Sequence, residues 1–131
     1  MLRVAVEPLL EEPNAGSAFA PVVVQNRLRT GGDTGYALLI HAIYGPAVAL
    51  ASRPSGDVPF IMGQLMVLKR PAIEAIGGLE SADGQLVDDM HIGACMSRAG
   101  LRNVQSSHPL HIVNCGMSMG AFIRLYENAA V

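Results

Sequence analysis

The stretch GQLVDDMHIG, residues 84–93, sets two carboxylates, Asp88 and Asp89, side by side in apolar surroundings. Only 15% of the 131 residues are charged, against roughly 25% in ordinary soluble proteins, so adjacent acids call for a reason. One reason is electrostatic: the pair falls in the first turn of a helix expected over residues 85–99, where an acid gains about 0.3–1 kcal/mol from the helix dipole. The other is chemical. A carboxylate projecting from a helix start into a cleft can take the proton of an attacking hydroxyl. Neighbouring helical residues point about 100° apart, so one acid faces the cleft while the other pairs, caps or meets solvent. That divergence also argues against a metal-dependent hydrolase built on the pair, since no further ligands converge with it.

Other residues compete less well. In FIMGQLMVLKR, residues 60–70, Gly63 interrupts an expected buried strand. A glycine there weakens a strand unless something must approach its backbone, and the neighbouring Gln64 offers both a donor and an acceptor. His108 and His111 lie three apart in HPLHIV; on a strand they point to opposite faces, and no Cys or carboxylate stands at a zinc-site spacing. GGDTG lacks the lysine of a phosphate-binding loop and reads as a turn. The methionines read as apolar filler. Cys95 and Cys115 do not make a disulfide framework and read as reduced, buried thiols.

The elements that must position these groups follow from pattern. A first helix over residues 2–12 stops before Pro13, and NAGS is a turn. Val22, Val23 and Val24 form a buried strand, and RTGGDTG is a loop. Residues 36–52 form a buried or interfacial helix pair, broken at His41 and at Gly45-Pro46. No segment reaches the ~18 apolar residues that a bilayer span needs. A short helix begins near Pro71 and ends at Gly77-Gly78. The helix that carries the acids, expected to be the longest, closes at Gly100. LRNVQSS and HPLHIV are strands, and a last helix follows. Strands alternating with helices argue an α/β class, but three or four strands leave faces and edges of a sheet uncovered. Apolar residues make up 50% of the chain, which implies uncovered patches for a partner or lipid. A net charge of −2 gives no basic footprint for nucleic acid.

In order along the chain, FIMGQLMVLKRPAIEAIGGLE and GQLVDDMHIGACMSRAGLRNV resemble the linked motifs of family 2 glycosyltransferases. With VVVQNR and HPLHIV, the similarity is to the bacterial ceramide glucosyltransferase-like group, family 21 and its relatives. The resemblance implies a nucleotide-diphospho-sugar transferase (GT-A type) fold, present in part, with an incomplete mixed sheet and flanking helices. It also implies inverting sugar transfer from a nucleotide-sugar, a UDP-sugar by the family's habit, to a lipid-type hydroxyl acceptor. Carried over residue by residue, Asp89 is the general base and Asp88 a supporting acid. Gly63 and Gln64 line the place where sugar and acceptor meet. His91 occupies a position where some polysaccharide-synthase relatives also carry histidine, though it fits a helix surface equally well.

The family holds a divalent metal, Mg or Mn, with an Asp-x-Asp motif, and that motif is absent from this sequence. The later Arg-Trp motif is absent too, the chain having no tryptophan. The expectation is one partial domain over residues 1–131, lacking the nucleotide-binding half and the membrane segments, and inactive alone. The full-length protein would be membrane-associated with a cytoplasmic catalytic domain, and this fragment cytoplasmic or peripheral. The alternative is a non-catalytic binding or assembly module that keeps the same fold.

Overall fold

The chain runs α1 (Leu2–Glu11), β1 (Ala15–Phe19), β2 (Val22–Val24), α2 (Gly31–Leu38), a π-turn (Leu39–Tyr44), α3 (Gly45–Ala51), β3 (Met66–Leu68), α4 (Arg70–Ala75), a 3₁₀ turn (Leu79–Ala82), α5 (Asp88–Arg98), β4 (Arg102–Gln105), β5 (Leu110–Ile112) and α6 (Met119–Ala130). This computed structural model describes residues 2–52, 54, 56–84 and 88–130, with side chains except at 2, 5 and 128–130. The expected first turn of α5, residues 85–87, lies outside the described residues. The class is mixed α/β, with a small mixed sheet and flanking helices, compatible with part of a GT-A fold. Two compact units are distinguished: Met1–Pro21 with Ala51–Leu110, and Val22–Leu50 with His111–Val131.

The first unit is built around β1. This strand pairs antiparallel with β3, Ser17 opposite Leu68 and Phe19 opposite Met66. On its other side it pairs parallel with β4, Ser17 opposite Asn103 and Phe19 opposite Gln105. All five residues of β1 are buried. The sequence AGSAF has little intrinsic strand preference, and the expected NAGS turn is in fact the start of this central strand. Burial between partners on both sides overrides local propensity. Small side chains are what that position needs: a Cβ on Gly16 would stand 3.0 Å from Leu101 Cβ and 3.1 Å from Met96 Sδ. Leu9, Ala15, Ala18 and Val104 form the adjoining apolar core, with Val67 packed on it.

Helix α1 contains Pro8, which has no N–H to give the carbonyl four residues back. That carbonyl, Val4 O, instead accepts from the Ser106 hydroxyl at 3.4 Å. Helix α4 begins as expected with Pro71 in its first turn, and Gly77 and Gly78 end it at φ +91° and +86°. Helix α5 ends as expected at Gly100, φ +78°, where Leu101 N–H reaches back to Met96 O at 3.0 Å. The expected strand at 60–70 is shorter: only Met66–Leu68 pairs, and Gly63 and Gln64 form a turn ahead of it. Gly63 therefore does not interrupt a strand.

In the second unit the structure departs further from expectation. Residues 36–52 are not a broken pair: Gly31–Ala51 is one helix of 21 residues, the longest of those described. The π-turn explains why. Pro46 cannot donate to the carbonyl four back, so the ladder widens just before it, and Gly45 N–H bonds to Ile40 O in the five-residue pattern of a π-bulge. His41 does not break the helix either; its Nε2 accepts the Val24 N–H at 3.0 Å, tying β2 to this turn. The helix is long and apolar enough to cross a membrane by length and composition, with a mean hydropathy of 1.4 and 17% of its window buried. The expectation that no segment reaches that length is thereby corrected. Val24, Ala37 and Ile40 form the core here. The valine strand is only partly buried at Val22 and Val23.

Candidate functional site

Asp88 and Asp89 open α5. Their side chains diverge, as adjacent helical positions must. Asp89 is half-buried and turns back toward the 63–64 turn, where its Oδ2 accepts the Gly63 N–H at 2.6 Å. Its Oδ1 accepts the Met90 N–H at 2.8 Å. Asp88 is exposed; its Oδ1 accepts the Asp89 N–H at 2.8 Å, and it lines an open cavity of about 510 Å³ with Leu79, Glu80, Ala82, Asp83 and Gly84. The two carboxylates thus face different surroundings. Asp89 meets a backbone donor of another segment, while Asp88 meets an acidic, solvent-open hollow.

Gly63 leaves room for this geometry. A Cβ there would lie 2.9 Å from Asp89 Oδ2 and 3.3 Å from Asp89 Cβ and Cγ, so a larger residue would displace the carboxylate from its present position. Gln64 follows in the same turn and is exposed. His91 lies apart from this pair of groups. Its Nε2 is 3.4 Å from Cys95 Sγ, and Arg98 approaches the same sulfur at 3.0 Å, forming a row along one face of α5. Cys95 is partly buried and Cys115 exposed, both free; the expectation of a buried thiol fails for Cys115. His108 contacts the Ser107 hydroxyl through Nδ1 at 3.0 Å, and His111 is exposed. Among the described residues, no three His, Cys, Asp or Glu side chains are grouped to hold a metal ion.

A third aspartate went unrecognised as anything but part of a turn. Asp33 lies in the first turn of α2 and is 1% exposed. Its carboxylate accepts N–H groups from Arg29 at 3.2 Å, Gly116 at 3.1 Å and Met117 at 2.9 Å. Burial alone would raise its pKa; the backbone donors of Gly116, Met117 and Arg29 and the Thr30 hydroxyl outweigh it, holding the carboxyl below the ordinary 3.8. Thr30 caps the helix by accepting the Asp33 N–H at 3.0 Å and donates to Met117 O. The signal for this was present in the sequence: Thr-Gly-Gly-Asp is a capping box ahead of an apolar run. Also missed was Asn103, wholly buried between β1 and α5.

The sequence model described as Glycosyl transferase family 21 matches residues 3–126. Neither the comparison with curated proteins nor that with solved structures returned a match.

Proposed function

Because this chain belongs to glycosyltransferase family 21, we propose that Asp89 is the general base of a sugar transfer from a nucleotide-sugar donor to a hydroxyl acceptor. The observation that carries this reading is the Asp89 carboxylate held at the mouth of α5 by the Gly63 amide at 2.6 Å. The backbone N–H fixes one oxygen in place, and the half-buried setting leaves room for a hydroxyl to reach the group. Hydrogen bonds from the Gly63 and Met90 N–H groups hold the carboxylate in one orientation, as a positioned base requires.

In the reaction, the acceptor O–H gives its proton to Asp89 as its oxygen attacks the anomeric carbon. The bond from that carbon to the nucleotide diphosphate breaks on the opposite face, so configuration inverts. Gly63 keeps the space beside the carboxylate clear, and Gln64 offers a donor and an acceptor at the same turn. Asp88, facing away, adds negative potential without touching the proton. A divalent cation would stabilise the leaving diphosphate in such enzymes. The acidic groups among the described residues do not converge to hold one.

The acceptor is a lipid-type alcohol on this reading. Its support is the apolar surface of the second unit, where Leu38, Ile43, Leu50, Ile123, Leu125 and Tyr126 are all exposed. The open groove between α2 with its π-turn and α6 is lined by Gly35, Leu38, Leu39, Ala42, Ile43, Phe122 and Tyr126. Such faces suit association with a bilayer surface.

Asp89→Asn in the full gene product tests the assignment. Transfer should fall by about 10²–10⁴-fold, the usual worth of a positioned base, while nucleotide-sugar binding stays within a factor of a few. Undiminished transfer rejects the base.

A further inference from the structure

The Asp89–Gly63 bond joins two segments that are not otherwise paired in the sheet, and something must hold them at bonding distance. Asn103 on β4 is 0% exposed, and both N–H groups of its side chain are spent on the two segments. Its Nδ2 donates to Val58 O at 2.8 Å and to Gly93 O at 2.9 Å. Its Oδ1 accepts the Ser17 hydroxyl at 2.6 Å. One amide therefore ties the 57–63 segment, α5 and the central strand together. The main chain adds a fourth link, Val58 N–H to Asn103 O at 3.0 Å.

The second half of the clamp is Gly93. A Cβ there would stand 2.5 Å from Ile61 N and 2.7 Å from Phe60 Cα and C. The backbone of 60–61 thus lies directly on α5 at this residue. Gly93 is one helical turn after Asp89, on the same face, and a turn rises about 5.4 Å. Two residues of extended chain span up to about 7 Å, so a chain seated at Ile61 over Gly93 delivers the Gly63 N–H to the Asp89 carboxylate. Val58, ahead of the crossing, and Ile61, within it, are both 0% exposed and anchor the segment.

We propose that Asn103 and Gly93 are positioning residues that seat segment 57–63 on α5 and thereby set the Asp89 carboxylate against the Gly63 amide. The inference deepens the reading of Asp89 as base and rests on it for its consequence in catalysis, but the geometric claim stands apart. Overlap at Gly93 is the sharper lever. An added methyl must push the crossing backbone off by roughly 1 Å, enough to carry a 2.6 Å hydrogen bond past the limit of about 3.5 Å at which it ceases to be one.

The test is amide NMR of the whole 131-residue chain across a pH series. The Gly63 amide proton shift should follow ionisation of Asp89 in the parent, and that dependence should vanish in Asp89→Asn. In Gly93→Ala it should vanish as well, although Asp89 is still present, while the β1–β4 amides keep their parent shifts. Persistence of the pH dependence in folded Gly93→Ala overturns the proposal. Should Gly93→Ala fail to fold, Ser17→Ala serves instead. It removes one bond that orients the Asn103 amide and should speed Gly63 hydrogen exchange about fivefold; unchanged exchange overturns the proposal equally. Transfer assays on the full gene product separate the two claims. Loss of the amide coupling in Gly93→Ala together with a kcat at least about tenfold lower and an unchanged donor KM supports both. Loss of the coupling with kcat intact supports the clamp and rejects Asp89 as the base.

Discussion

Each unit has an aspartate in the first turn of a helix, and the two are put to opposite uses. Asp33 in the second unit is 1% exposed, and its oxygens are taken up by the backbone N–H groups of Arg29, Gly116 and Met117. It fastens the 116–117 loop to the start of α2, and its burial leaves a substrate no approach to the carboxylate. Asp89 in the first unit takes one bond from its own neighbour and one from Gly63 and remains half open. Position at a helix start is common to both and therefore explains neither. What separates them is how many donors the surrounding chain brings: saturation makes a staple, and partial satisfaction leaves a group that can still accept a proton.

The largest effect that would break this contrast is catalytic. Asp89→Asn should cost about 10²–10⁴ in transfer and leave the melting temperature nearly unchanged, because only one bond from outside the helix is altered. Asp33→Asn should do the reverse, lowering the melting temperature of the second unit. If Asp89→Asn unfolds the chain, the two aspartates are of one kind.

Next in size is Gly32→Ala. A Cβ at Gly32 would run into the Met117 carbonyl and come within 2.5 Å of Ser118 O, wedging open the loop that Asp33 fastens. Destabilisation of about 1–3 kcal/mol, the cost of overpacking a tight site, should appear in urea denaturation. A smaller effect belongs to Thr30→Ala, which removes the N-cap and should cost about 0.5–2 kcal/mol. Gly84→Ala, at an unobstructed φ of +74° beside the Asp88 hollow, should cost roughly 1 kcal/mol by strain alone and leave α2 untouched.

The mildest probe is pH. The Asp33 carboxyl is held below its ordinary 3.8 in the folded chain. A depressed native pKa stabilises the fold above the unfolded value and loses that contribution as pH falls through the native one. The second unit should therefore weaken only below pH 3.8, and Asp33→Asn should flatten that acid slope. Circular dichroism followed between pH 5 and 2 would show it; a parent and variant with identical acid profiles would remove Asp33 from the role of staple.

Much of the first unit was legible in the sequence because its signals are local. Pro71 and Gly77-Gly78 bracket α4, Gly100 closes α5, and the acids open it. Each acts through its own backbone dihedrals or the field of its own helix. The central strand was not legible, since Ala15, Gly16 and Ser17 look like a turn until partners on both sides bury them. Neither was the unbroken helix Gly31–Ala51. Pro46 signals a break by local rule, and only the widened turn before it, with His41 bonded to Val24, carries the chain through.

The candidate site divides the same way. Residue types and motif order by themselves determined the family, the paired acids and the neighbouring glycine, because those are fixed by what the chemistry requires along the chain. What holds Asp89 against Gly63 was decided by tertiary structure alone. Asn103 lies 14 residues beyond Asp89 and Val58 lies 45 residues before Asn103, and no local pattern records that they share a hydrogen bond. A carboxylate becomes a staple or a base according to the donors that distant segments deliver to it, and delivery is a property of the packed chain.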